Sequence, residues 1–429
     1  MIEAKFLTLD LVSVVNQTSS PIIASPDDKP CETLDGQKIS PKGNKRIAFL
    51  FNHEQSHQIL HSAPILDAMA ASFPNQDISV IIVGDDKTAF LVGQLRPDTL
   101  RHIKLHPIAP LKSAMLTEKI LGSAIPITRV ANLIRLRKLL AQHDVVVTPE
   151  TTSLLLKSLP STRDLKIVYT QHGAGDRAVG FKASIQKFDF VLVPGRKIER
   201  RMLDAKIVQK GTYAVVGYPK FNSPLISEKK SFFTNSNPTV LYNPHFDPSL
   251  SSWYDKGLEI LEYFYQNPKF NLIFAPHVML FSRRVHLAPA PFAARRSGRI
   301  PQKYLGLDNI RIDLGSFASI NMAYARSADI YLGDVSSQIY EFITPPKPSI
   351  FVNSGHKNWQ RDTNFSHWHL GKVIYSVQEL DKYLKDLSWH TLGYLERQKE
   401  AFVSTFGEDS QGAAARAAAA IIRFSEEGL

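Results

Sequence analysis

Cysteine is almost missing from this chain: its 429 residues include one, Cys31. No intramolecular disulfide can form, which removes the small disulfide-stapled scaffolds and fits a reducing compartment. No apolar run approaches the roughly 20 residues that a membrane-spanning helix requires. The opening stretch MIEAKFLTLDLVSVV contains acidic residues and no basic segment ahead of a long apolar run, so no secretory signal is expected. A cytoplasmic protein is the expectation, with peripheral contact to the inner face of a membrane left open by its charge. Zinc-finger spacings, aromatic RNA-binding motifs and a long basic tail are also missing, which argues against nucleic acid as a partner. No carboxylate cluster has metal-binding spacing, so neither a metal nor another cofactor is expected. No internal repeat is visible.

What is present is ordinary in amount and informative in order. Hydrophobic residues make up 44% and charged residues 21%, the balance of a globular protein. The formal net charge is +11, which calls for an anionic partner: a nucleotide, a phosphorylated acceptor, an acidic membrane surface or nucleic acid, among which charge alone does not choose. Residues 1–44 show no clear period after Val15 and read as an N-terminal extension. From Lys45, short apolar strands alternate with amphipathic helices. Strands are expected at 45–51, 78–83, 102–105, 145–148, 165–169 and 190–194. A second series follows at 239–244, 271–275, 309–313, 330–332, 349–352 and 372–375. Such alternation predicts an α/β protein with two doubly wound, Rossmann-like parallel-sheet domains. The first spans 45–222 and a polar linker 223–238. The second spans 239–387, with C-terminal helices over 388–429.

The stretch Ala328–Val352 organises the reading. Ile330–Leu332 is a strand, Gly333 and Asp334 break it, and Ser336 and Ser337 stand where a short helix begins. Pro345, Pro346 and Pro348 stop that helix before the strand Ser349–Val352. A turn from a strand's carboxyl end into a helix N-terminus offers free N–H groups to an anion, and two hydroxyls add donors without counter-charge. The competing reading is that Asp334 or Ser336 only caps the helix.

Other candidate groups follow strand ends as well. His53, His57 and His61 are spaced to share one face of a helix begun at Asn52, a metal-binding spacing. Pro64 argues for a fresh first turn instead, which leaves His53 as the group nearest the cleft. The helix Arg129–Gln142 presents Arg129, Arg135 and Lys138 to solvent or to anionic lipid head groups. Arg283, Arg284, Arg295, Arg296, Arg299 and Lys303 lie in a proline-punctuated stretch expected to be a loop that faces an anion or only solvent.

Four segments carry a family resemblance. Asp334-Val335-Ser336-Ser337-Gln338-Ile339-Tyr340-Glu341, followed by a proline turn and an apolar strand, resembles the D-Y-S-S-x-x-F-D…P signature of the CDP-glycerol glycerophosphotransferase family. That family builds teichoic-acid and related surface polymers. Gln171-His172-Gly173-Ala174-Gly175-Asp176-Arg177 resembles its H-G-T-x-x-K segment, with Ala174 for Thr and Arg177 for Lys. Ala214-Val215-Val216-Gly217-Tyr218-Pro219-Lys220-Phe221-Asn222 resembles V-x-G-x-P-R-x-D, with Lys220 for Arg and Asn222 for Asp. Pro276-His277 resembles the K-x-H-P segment without its basic residue, and in the loop at Tyr242–Asp247 the family's Thr and Arg are missing while His245 and Asp247 stand nearby. The matches span about residues 167–352.

The resemblance implies a GT-B architecture, two Rossmann-like domains facing a cleft. It implies a transferase that moves glycerol phosphate from CDP-glycerol to a hydroxyl acceptor on a lipid-linked or polymeric glycan. His172 and His277 would be catalytic. Gly173, Asp334, Ser336, Ser337 and Glu341 would bind the donor, and His53, Arg177, Lys220, His245, Arg283 and Arg284 would be phosphate or acceptor contacts. Two alternatives stay open: a sugar transferase or UDP-sugar 2-epimerase of the same fold, and a non-catalytic protein that holds a polyanion or a partner.

Overall fold

The computed structural model describes residues 45–427, apart from Glu54, 122–125, His172, Ala174, Leu225, 227–228 and 290–291. The expected N-terminal extension therefore lies outside the described residues. Seven strands form the first sheet: β1 (Arg46–Phe51), β2 (Asp77–Val83), β3 (Ile103–Ile108), β4 (Val145–Thr148), β5 (Lys166–Thr170), β6 (Phe190–Val193) and β7 (Tyr213–Val215). Their order is β3-β2-β1-β4-β5-β6-β7, and every neighbouring pair is parallel. The chain winds outward from β1 in one direction and then restarts at β4 in the other. That reversal opens a crevice at the carboxyl ends of the central strands.

The second sheet repeats the plan. It contains β8 (Thr239–Asn243), β9 (Asn271–Phe274), β12 (Ile310–Ile312), β13 (Ile330–Gly333), β14 (Ser349–Val352) and β15 (Lys372–Ile374), in the order β12-β9-β8-β13-β14-β15, again all parallel. Its reversal falls between β8 and β13, so the loop after β13 stands beside the loop after β8. Strands such as Val145–Thr148 and Ser349–Val352 are buried along their whole length. They lie in sheets covered on both faces, which is why they read as continuous apolar runs rather than alternating ones.

One local feature differs from expectation, and two others bear on the candidate site. The stretch expected as a loop holds an antiparallel hairpin, β10 (Val285–Pro289) and β11 (Phe292–Arg296), with Pro289 opposite Phe292 at its turn end. The helix after Ser337 has five residues, Gln338–Phe342, too few for a macrodipole to carry an anion site. The segment after β1 is a 3-10 turn, Ser56–His61, and the helix restarts at Ala63 with Pro64 in its first turn. His53, His57 and His61 therefore do not share one α-helical face.

The C-terminal helices join the two halves. Gln398, in the helix Leu395–Phe406, is fully buried. Its amide accepts from the Lys347 N–H at 2.9 Å and donates to the Leu370 carbonyl at 2.8 Å, which ties the helix to the second sheet. The last helix, Ala413–Glu427, returns to the first domain. Phe424 stacks on Phe190 with ring centroids 4.8 Å apart, and Arg416 Nε donates to the Val216 carbonyl at 3.1 Å. Its alanine-rich face allows the close approach.

Gly195 is another point of close approach: a Cβ there would overlap the backbone carbonyl of Thr405. Gly195→Ala is expected to cost about 1–3 kcal/mol through overpacking, read as a lower midpoint in urea or thermal unfolding. Gly393→Ala, where a Cβ meets nothing within 4 Å, serves as the control and should not lower the midpoint. Equal midpoints for both variants would show that the C-terminal helices do not pack on Gly195.

Candidate functional site

The loops at the strand ends of both sheets meet around one cavity of about 200 Å³. Gln171, Gly173, Gly175 and Arg177 reach it from the loop after β5. His245 comes from the loop after β8, His277 from the loop after β9, and Ser336 and Ser337 from the turn after β13. Five of the expected site residues whose side chains are described thus share one pocket: Arg177, His245, His277, Ser336 and Ser337. Gly173 contributes backbone to the same wall. The expected catalytic His172 lies outside the described residues.

Glycine at 173 and 175 has a structural cause. Gly173 adopts φ +95°, and a Cβ on it would stand 3.4 Å from Ser337 Oγ. A Cβ on Gly175 would come within 3.2 Å of the Ser337 Cβ. The glycines let a loop of the first domain lie against the serine turn of the second. Ser336 Oγ accepts from the Gln338 N–H at 3.2 Å, so the capping expected of Ser336 is present in weak form.

The positive charge in the pocket belongs to Arg177. Its guanidinium stands 3.5 Å from the Asp247 carboxylate and 3.0 Å from His245 Nε2. The Asp247 N–H lies 3.0 Å from the other nitrogen of the same ring. A neutral imidazole accepts at one nitrogen only, so one of these two contacts is held by packing and charge rather than by a hydrogen bond. Burial drives the His245 pKa well below its ordinary value, with His277 and Arg177 adding to the effect. Burial likewise pushes His277 down to about 4, assisted by the charge of Arg177. Both rings are neutral at pH 7. His277 Nδ1 accepts from the Met279 N–H at 3.2 Å, which leaves the Nε2 proton as its donor. A bound phosphate would favour the charged forms and raise both values.

Asp334 is fully buried and outside the cavity wall. Its carboxylate accepts from the N–H groups of His245 at 2.9 Å, Val335 at 2.6 Å and Ser252 at 2.6 Å, and from Ser252 Oγ at 2.8 Å. Its role here is to lock the loop carrying His245 against the serine turn. Glu341 and Lys220 also stand away from the cavity. They form a buried ion pair at 2.7 Å across the domain boundary, with the Tyr218 hydroxyl donating to Glu341 at 2.9 Å. His53 is buried against the edge of Phe51, and Arg283 and Arg284 are exposed at the root of the hairpin. None of these residues lines the cavity.

Sequence reasoning missed the group that organises the loop. Asp176 is buried and accepts from four groups: Lys197 Nζ at 2.9 Å, Tyr340 OH at 2.6 Å, the His367 N–H at 2.9 Å and His367 Nδ1 at 3.1 Å. Lys197 belongs to the first domain; Tyr340 and His367 belong to the second. Burial pushes the Asp176 carboxyl up, but the His367 hydrogen bond, the Lys197 charge and the Tyr340 hydroxyl together hold it well below the usual carboxylate range. Lys197 also lies over the Tyr340 ring, 3.8 Å from its centroid.

Two parallel α/β domains with their strand-end loops converging on one cleft define a GT-B-like protein. Solved structures with this architecture include the UDP-GlcNAc 2-epimerase from Neisseria meningitidis bound to UDP-GlcNAc, with a TM-score of 0.57 at 12% identity over 88% of this chain and 98% of that one. The UDP-GlcNAc 2-epimerase from Methanocaldococcus jannaschii gives 0.56 at 13% identity, over 88% and 99%. The wall teichoic acid polymerase TagF gives 0.56 at 14% identity, over 89% of each chain. These likenesses establish the fold. No protein-family profile and no curated sequence matches the chain.

The lowered pKa of His277 has a consequence for stability. The unfolded state takes up this proton near pH 6.5 and the folded state near 4, so the folded state is penalised as pH falls between those values. Wild type should therefore lose stability relative to His277→Gln over that window, by at most about 3 kcal/mol, in urea melts at stepped pH. Parallel pH profiles for the two proteins would show that His277 titrates normally.

Proposed function

We propose that the chain is a transferase that takes a nucleotide-diphosphate donor, CDP-glycerol in the favoured reading, and passes glycerol phosphate to a hydroxyl acceptor. The observation that carries this reading is the composition of one cavity: two serine hydroxyls, one guanidinium and the imidazoles of His245 and His277, gathered from both domains, with Asp176 and His367 bonded to each other in its wall. A diphosphate is a compact anion, and forked guanidinium donors and hydroxyls suit its oxygens. The structural likeness to TagF supports the reading at the level of fold. One TagF structure of the same architecture, with a TM-score of 0.57, was soaked with CDPG.

In this reading the donor's diphosphate lies between the Ser336–Ser337 turn and Arg177. The acceptor oxygen attacks the phosphorus that bears glycerol. A new P–O bond forms, the bridging P–O bond breaks, and CMP leaves with the electron pair. The attacking hydroxyl loses its proton to a base, the role that the family resemblance gives to His172. Arg177 and the Nε2 proton of His277 offset charge that builds on the phosphoryl oxygens. The acceptor is a lipid-linked or polymeric glycan, met at the cytoplasmic face of a membrane.

A second reading keeps the same cavity and changes the chemistry. Several structures of this architecture are UDP-GlcNAc 2-epimerases, and one carries UDP-GlcNAc. A UDP-sugar 2-epimerase would need no acceptor at all. The departures from the family pattern at Ala174, Arg177, His245 and Asp247 favour a third reading, a protein that binds a polyanion or a partner without turnover.

A thermal-shift screen separates them. A ligand that binds only the folded state at a hundredfold excess over its Kd adds about 2.7 kcal/mol. CDP-glycerol and CDP are expected to raise the melting temperature, and the Ser336→Ala/Ser337→Ala variant is expected to lose that rise. A shift with UDP-sugars alone would replace the proposal with the epimerase reading. No shift with any nucleotide would leave the binding protein.

A further inference from the structure

The hairpin β10–β11 is a prominent feature that the nucleotide site leaves unused. It follows the segment after β9 and meets the loop after β8, where the His286 and Phe246 ring centroids stand 6.1 Å apart. Its register places Val285 opposite Arg296, Leu287 opposite Ala294 and Pro289 opposite Phe292. Directly opposed residues share a face of a strand pair. The alternate face carries His286 and Ala288, both buried, with His286 Nε2 2.9 Å from the Leu280 carbonyl. The hairpin is thus fastened by one face, and the other is turned outward. On that outer face Val285 is 45% exposed, Leu287 67% and Phe292 78%.

The hairpin's own stretch of chain carries charge of one sign. No Asp or Glu occurs from Ser282 to Leu307, a stretch that contains Arg283, Arg284, Arg295, Arg296, Arg299 and Lys303. Arg295 is paired with Asp255 and Lys303 with Glu262. Among the described residues, no ion pair engages Arg283, Arg284, Arg296 or Arg299. An exposed apolar face rimmed by unpaired arginines complements one kind of surface, apolar below and anionic at its edge.

We propose that this hairpin docks the protein on an anionic lipid bilayer. Phe292 and Leu287 enter the head-group boundary, and the arginines meet lipid phosphates. Arg283 and Arg284, expected from sequence as donor or acceptor phosphate contacts, serve the bilayer instead. The inference deepens the reading of a lipid-linked acceptor, because the hairpin that meets the lipid also meets the loop after β8. It rests on that reading for its purpose only. Vesicle binding and nucleotide binding are measured separately, so either can fail without the other.

The test is co-sedimentation of the full chain with vesicles of phosphatidylcholine, and of phosphatidylcholine mixed with phosphatidylglycerol. Binding is expected to the mixed vesicles alone and to weaken with added salt. The Leu287→Ser/Phe292→Ser variant and the Arg296→Ser/Arg299→Ser variant should each bind about tenfold more weakly, with unchanged melting temperatures. Phe292→Trp should show a blue-shifted emission that brominated lipid quenches. No sedimentation with mixed vesicles, or undiminished sedimentation of both variants, would overturn the proposal. So would a dimer that the Leu287→Ser/Phe292→Ser variant dissociates without any vesicle binding, since a second copy would then be the partner.

Discussion

The candidate site depends on a single buried carboxylate. Asp176 lies in the glycine-bearing loop of the first domain and accepts hydrogen bonds from both domains at once. A buried charge is costly unless its lone pairs are satisfied, and here Lys197, Tyr340 and His367 satisfy them. Removing any of these partners would leave part of the carboxylate unserved in a low-dielectric interior. The loop is therefore fixed to the second domain at the position where Gly173 and Gly175 touch Ser337. A second buried pair, Lys220 with Glu341, repeats the device farther from the cavity. The surfaces of both domains that form the cavity are held by charge and hydrogen bonds as well as by apolar packing.

This arrangement decides how the cavity presents itself to an anion. The carboxylates near it are already engaged: Asp176 by four donors, Asp334 by four, and Asp247 by Arg177 and the Ser249 hydroxyl. None is left to repel a phosphate from the wall. The imidazoles of His245 and His277 are neutral because burial and the nearby guanidinium oppose a second charge. The pocket thus offers one fixed cation and several neutral donors, beside an Asp176 carboxylate already held by its own donors. A diphosphate can share its charge among such groups without the desolvation of several cations at once.

Much of the fold was legible because parallel strands covered on both faces are written as short apolar runs, as at Ile78–Val83 and Ser349–Val352. The pocket's Arg177, His277 and serine pair were legible because each follows such a strand. Strand β7, at Tyr213–Val215, is too short and too half-buried to stand out. The hairpin was hidden by proline: Pro289 reads as loop punctuation and in fact closes β10 at the turn end. Asp176 was illegible for a different reason: its partners Tyr340 and His367 lie 164 and 191 residues away, and no local spacing announces such a contact. Glu341 and Lys220 fell in two of the matched segments, but nothing in either segment said that they face each other. The alanine-rich run before Phe424 declared a helix and not which sheet it would cover.

The central claim is that one anion site is assembled from the loop at Gln171–Arg177 and the turn at Val335–Ser337. Hydrogen exchange of the backbone, with and without CDP-glycerol or UDP-GlcNAc, tests it most directly. The account predicts that the nucleotide which binds slows exchange in both segments together, and in the His245–Asp247 loop beside them. Protection confined to one domain, or centred outside these loops, would contradict it.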